Sequence, residues 1–238
     1  MTAPGDSPHA VDDVPISAPV DPIEGSLITR SFGYDGGRRV TAYMPPRAPE
    51  AVVLAGDGQL ISQWGGYLEA ADVVPTMIVG VHRSEAEDEM VRIREYSPSF
   101  DEARFAAHER FVIDEVGEWI RSDLGVVTPV ERTAVCGVSA GGELSLALGL
   151  RHPDVFGAVF SASPGGGYRP PEVMPDRLPR VYLLAGTAEP FFAENAARWA
   201  DALLHAGADV RTRTRTGDHG DPFWAEELPL MVAWAFGR

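Results

Sequence analysis

The sequence has no lysine and only one cysteine, Cys136, in 238 residues. A lone cysteine excludes an internal disulfide, and its place in the apolar run Thr133 to Val138 makes it a core thiol rather than a reactive one. All basic side chains are arginine, a bias we assign to genome composition rather than to mechanism. They are too scattered to form a basic run, and the formal net charge is −15, so nucleic acid and anionic membranes are not expected partners. No apolar stretch reaches membrane-spanning length, and the N-terminus lacks the charged-then-apolar pattern of a signal peptide. The cytoplasm is the expected location. What is present is a hydrophobic fraction of 45% with 23% charged residues, which suits one α/β domain with a full core.

Residues 1–22 are rich in Pro, Asp, Ala and Ser and read as a flexible leader, with a single catalytic domain over 23–238 that begins to fold near Gly25. Strands are expected at about 26–32, 39–43, 51–55, 76–81, 133–138, 156–161, 180–184 and 210–214. Several are short continuous apolar runs, the mark of strands covered on both faces. Between them Phe105, His108, Val112, Val116 and Trp119 form one apolar helical stripe. Phe192, Ala196, Trp199 and Leu203 form another, with Pro190 in its first turn and Gly207 at its stop. After an N-terminal pair of strands, strand and helix alternate, which gives a mainly parallel sheet of about eight strands with helices on both faces.

Ligands bind such sheets beyond the carboxyl ends of the strands. There the run Thr133 to Val138 gives way to a helix through Gly137-Val138-Ser139-Ala140-Gly141, a G-x-S-x-G at a strand-to-helix junction. A serine hydroxyl needs a base, and the base an orienting carboxylate. Later strand ends offer Glu189 and then His219, and the order Ser139, Glu189, His219 is that of the α/β-hydrolases. Asp218, Asp221 and Glu194 lie near enough in sequence to compete with Glu189 for the role of acid. One oxyanion N–H is expected from Ala140 and the second from the loop Asp57-Gly58-Gln59-Leu60, with Gln59 the candidate donor. The alternative for that loop is an Asp-Gly turn with no catalytic part. His9, His82, His108, His152 and His205 are read as structural or solvated.

At this point the chain resembles the esterase family that includes enterochelin (siderophore) esterases, esterase D and the mycolyltransferases. The resemblance spans about residues 25–236 and rests on separated motifs: "VVLAGDGQ", "VGVHRS" with "RIREYSPSF", the elbow with its His-Pro-x-x-Phe-Gly continuation, "LLAGTAEPFFAENAARWADALLHAGADV" and "TGDHGDPFW". Glu189, Asn195 and Trp224 are similar to the siderophore-esterase branch. The histidine loop reads Gly-Asp-His-Gly where relatives often have Gly-Gly-His-Asp, and no lysine is present to aid an anionic substrate. The resemblance implies an α/β-hydrolase fold and a serine esterase acting through Ser139, His219 and Glu189 on a small-molecule ester, with no metal or organic cofactor. Substrate contacts are expected in the loops 82–95 and 163–179, from Arg83, Arg92 and Arg169, and from Trp224. Arg94 is a further candidate, or pairs with Glu95. Acyl transfer to another acceptor, or thioester cleavage, would use the same residues; a non-catalytic binding protein would have no need of all three.

Overall fold

All five residues Ala51–Ala55 are buried, and their side chains alternate between two apolar layers. Val52 and Leu54 join one layer, Ala51, Val53 and Ala55 the other. A strand with two covered faces must be apolar throughout, and this one occupies the middle of the sheet. The computed structural model describes residues 18–86 and 88–237. Its strands are β1 (Ser26–Phe32), β2 (Arg38–Met44), β3 (Ala51–Ala55), β4 (Thr76–Val81), β5 (Thr133–Val138), β6 (Ala158–Ala162), β7 (Arg180–Gly186) and β8 (Val210–Arg215). They form one eight-stranded sheet in the order β1-β2-β4-β3-β5-β6-β7-β8. The β1–β2 and β2–β4 pairs are antiparallel, and the remaining pairs are parallel.

The helices are α1 (Gly58–Ile61), α2 (Gly65–Glu69), α3 (Glu89–Tyr96), α4 (Glu102–Arg110), α5 (Ala140–Arg151), α6 (Pro190–His205) and α7 (Phe223–Phe236). One apolar layer takes its side chains from α3, α4, α5 and α6, including Phe105, Leu144 and Trp199. The other takes Ile61, Leu68, Leu228 and Met231 from α1, α2 and α7. The expected α/β-hydrolase arrangement, a mostly parallel sheet between two helical layers, is the one adopted.

Two local results refine the sequence reading. Beyond Arg110 the fourth helix continues through π-type turns at Phe111–Val116 and Trp119–Asp123. The stripe Phe105, His108, Val112, Val116, Trp119 stays buried through this change of hydrogen-bond register. The sixth strand starts at Ala158 rather than Phe156, because the N–H groups of Val155 and Phe156 turn back to His152 O, both at 2.9 Å. Of the expected leader, and with it His9, residues 1–17 lie outside the described residues. Val20, by contrast, donates its N–H to Gly66 O at 3.2 Å, so the chain already lies against α2 ahead of Gly25.

Candidate active site

Strands β3, β5, β6, β7 and β8 run in one direction, so Asp57, Ser139, Ser163, Glu189 and His219 all follow carboxyl ends at one edge of the sheet. Ser139 has φ +58° and ψ −122°, a conformation that costs a serine about 1–3 kcal/mol and persists only when its surroundings enforce it. Backbone hydrogen bonds do so. The Ser139 N–H donates to Ala162 O at 3.0 Å, while Ser139 O accepts from the Gly142 and Gly165 N–H groups at 2.9 and 3.2 Å. The turn leaves Ser139 partly exposed and starts α5 at Ala140. First-turn N–H groups of a helix have no intrahelical acceptor, so the Ala140 N–H is a donor at the elbow.

The loop after β3 makes a comparable turn. Asp57 has φ +50°, and the N–H groups of Leu60 and Ile61 return to Asp57 O at 2.8 and 3.1 Å. Gln59 stands in the first turn of α1, again where a backbone donor lacks an intrahelical partner. Gly58 is pressed so closely on β4 that a Cβ would lie 2.1 Å from Gly80 O, so only glycine fits.

The segment Arg92 to Pro98 holds this loop from beneath. Arg92 Nε and Nη2 donate to the two carboxylate oxygens of Asp57 at 2.8 and 2.5 Å, and the Asp57 N–H donates to the buried Tyr96 hydroxyl at 2.9 Å. Burial pushes the Tyr96 phenol above its ordinary range, so it stays neutral. Glu95, fully buried, accepts a bidentate pair from Arg38 at 2.8 and 3.0 Å and a third bond from Arg104 at 2.7 Å. Helix α3 is thereby fastened to β2 and α4 while it presents Arg92 and Tyr96 to Asp57.

At the far strands, Thr187 and Ala188 run beside the chain after β8 through N–H bonds to Arg215 O and Gly217 O at 2.8 and 2.9 Å. This brings Glu189 to His219, whose Nδ1 lies 2.8 Å from Glu189 Oε2. The second oxygen, Oε1, accepts the Gly186 N–H at 2.7 Å and the Ser163 hydroxyl. Glu189 is 3% exposed, whereas the competing carboxylates have other partners. Asp218 Oδ1 caps the backbone N–H of His219, Asp221 Oδ2 that of Asp218, both at 2.7 Å, and Glu194 pairs with Arg198. The His219 ring is stacked on Phe192, with centroids 3.9 Å apart, and stands edge to face with Trp224 at 4.8 Å.

The profile of the family described as "Putative esterase" matches residues 41–235. The chain belongs to that family. No curated protein sequence matches it significantly. Among solved structures, the enterochelin esterase from Shigella flexneri superposes with a TM-score of 0.72 at 20% identity, over 92% of this chain and 60% of that one. The ferric enterobactin esterase from Salmonella typhimurium gives 0.70 at 23% identity, over 91% and 60%. A ferulic acid esterase from Anaeromyces mucronatus, solved with ferulic acid, gives 0.70 at 16% identity over 99% of each chain. The chain thus spans about 60% of the length of the enterochelin esterases it resembles.

Within this family member the residues expected to meet substrate are placed differently from one another. Arg92 has its fork on Asp57, and Trp224, 8% exposed, lies under His219 with its indole N–H on Ser163. Both are engaged by other side chains of the fold. Arg83 stays at the surface, its backbone N–H 3.3 Å from Gln59 Oε1 and its guanidinium 3.8 Å from Glu89. It lines an open pocket of about 290 Å³ together with Arg39, Gln59, His82 and Arg92. Arg169 donates to Asn195 Oδ1 at 2.9 Å. Arg94 meets Asp88, not Glu95. Cys136 is buried, and burial pushes its thiol up to about 12, which fits an inert core thiol. Sequence reasoning passed over two carboxylate and hydroxyl anchors. Glu143, in the first turn of α5, accepts the N–H groups of Gly167 and Tyr168 at 3.0 and 2.7 Å and so pins the loop 163–179. Ser163, on Glu189, carried one available signal: it follows a strand end.

Proposed function

We propose that this chain is a carboxylic ester hydrolase that works by acyl transfer through Ser139. His219 takes the Ser139 proton on Nε2 as Oγ attacks the ester carbonyl, while Glu189 holds the imidazole through Nδ1 and stabilises the imidazolium that forms. The N–H groups of Gln59 and Ala140 receive the charge that develops on the carbonyl oxygen. As the C–O bond breaks, His219 returns the proton to the departing alcohol. Water, deprotonated by the same histidine, then attacks the acyl-enzyme, releasing the acid and restoring the serine. The observation that carries this reading is the 2.8 Å contact between His219 Nδ1 and Glu189 Oε2, which leaves Nε2 as the ring nitrogen available to a serine held in an elbow turn.

For the substrate we propose a siderophore-type ester, supported by the enterochelin-esterase neighbours and by the resemblance at Glu189, Asn195 and Trp224. A phenolic-acid ester is the second reading, favoured by the ferulic acid esterase that matches this chain over 99% of both lengths. Hydrolysis of siderophore trilactones, feruloyl esters, chromogenic short- and medium-chain esters and acyl thioesters, measured in parallel with and without an alcohol acceptor, tests both. Trilactone turnover that Ser139→Ala abolishes supports the first reading. Feruloyl preference transfers the assignment to the second, and thioester preference or product formed only with the acceptor would contradict ester hydrolysis as the natural reaction.

A further inference from the structure

The carboxylate of Glu189 is held by more than His219. Ser163, the residue after β6, donates its hydroxyl hydrogen to Glu189 Oε1, and the indole N–H of Trp224 donates to Ser163 Oγ at 2.8 Å. The direction of this chain is forced. An indole N–H only donates and a carboxylate only accepts, so Ser163 must receive from Trp224 and give to Glu189. Ser163 pays for its position with a left-handed backbone, φ +46°, fixed by its N–H on Leu184 O at 2.7 Å. All three residues are buried, so each bond forms away from competing water.

We propose that Ser163 and Trp224 are positioning residues for the acid, a relay that keeps Glu189 Oε2 aligned on His219 Nδ1. A carboxylate with one oxygen on the imidazole can still pivot about its side-chain torsions. Saturating Oε1 with the Ser163 hydroxyl and the Gly186 N–H removes that freedom and solvates the buried charge with fixed dipoles. Trp224 acts twice, through Ser163 and as the edge against which the His219 ring stands. The kinetic part of this inference rests on the triad reading of Ser139, His219 and Glu189 given above.

Two readouts in three variants test it. The first is the rate at which a phosphonofluoridate labels Ser139; the second is the low-field proton resonance of the His219–Glu189 hydrogen bond. Ser163→Ala should slow labelling about 10- to 100-fold, the worth of a hydrogen bond to a charged group. Trp224→Phe keeps the ring and loses only the N–H, so it should slow labelling about 3- to 10-fold and leave the fold intact if Ser163→Ala does not. The double variant should be no slower than Ser163→Ala alone, because Trp224 acts on Glu189 through Ser163. The resonance should move in each variant. Native labelling with unchanged rates in the variants, or an additive double variant, overturns the relay alone. No labelling of the native chain overturns the triad reading, and in that case a resonance that stays in place in Ser163→Ala and Trp224→Phe overturns the relay as well.

Discussion

Gly137 and Gly141 meet backbone to backbone: a methyl group on Gly137 would stand 1.9 Å from Gly141 O. Gly137 of the G-x-S-x-G is therefore a packing requirement, since the first turn of α5 crosses the end of β5 with no room for a Cβ there, whereas a Cβ on Gly141 would meet only the Asp57 and Tyr96 side chains, at 3.2 and 3.9 Å. Gly137→Ala should cost at least about 3 kcal/mol or prevent folding, because backbone rather than a movable side chain is in the way. Gly33→Ala, with nothing within 4 Å, should stay within about 0.5 kcal/mol. Denaturant unfolding of the two variants side by side measures the contrast, and equal stabilities would contradict the tight elbow.

The Arg92–Asp57 pair gives a second prediction. Arg92 holds the loop after β3 through a planar two-point contact with Asp57 that a lysine ammonium cannot reproduce. Arg92→Lys should lower kcat about tenfold or more with KM changed little, and should lower stability, because the pair is mostly buried. A raised KM with kcat and melting temperature intact would return Arg92 to direct substrate contact.

His108 sets a pH dependence of stability. It is fully buried with neither ring nitrogen hydrogen-bonded. Burial pushes it down to about 4 from 6.5, with Arg38 and Arg104 adding to the effect and Glu95 opposing it. The folded state holds His108 neutral where the unfolded chain would protonate it. Its contribution is therefore complete above about pH 6.5 and is lost as pH falls toward about 4, a swing of roughly 3 kcal/mol. Unfolding free energies between pH 7 and 4 should fall less steeply in His108→Phe than in the native chain. Parallel curves would show that His108 is not held neutral.

Much of this architecture was legible because its physics is local. Continuous apolar runs such as Ala51–Ala55 marked strands buried on both faces, and the 3-and-4 spacing from Phe105 to Trp119 marked a helix face. The π-type turns were not legible, since a slip in hydrogen-bond register leaves the apolar spacing intact. For the candidate site, strand ends pointed to Ser139, Glu189 and His219 by position and chain order. The supporting contacts are long-range: Glu95 meets Arg38 57 positions away, and Trp224 meets Ser163 61 positions away. Trp224 stood shortly after the histidine in sequence, but nothing local to it pointed to Ser163 at another strand end.

The acid is separable by amide substitution. Glu189→Gln keeps the shape but favours the wrong histidine tautomer, and kcat should fall on the order of 100-fold or more. Asp218→Asn and Asp221→Asn retain an oxygen to accept the backbone N–H groups of the histidine loop, and Glu194→Gln loses only a surface ion pair. Each should stay within about tenfold. A crippled Asp218→Asn beside an active Glu189→Gln would reassign the acid.

The central claim is that Ser139 carries the acyl group, and intact-mass analysis after phosphonofluoridate treatment tests it most directly. Only an activated serine reacts fast with such reagents. One adduct on the native chain, mapped to Ser139 and missing in Ser139→Ala, is the expected result; an unlabelled native chain, or an adduct that persists in the variant, would contradict it.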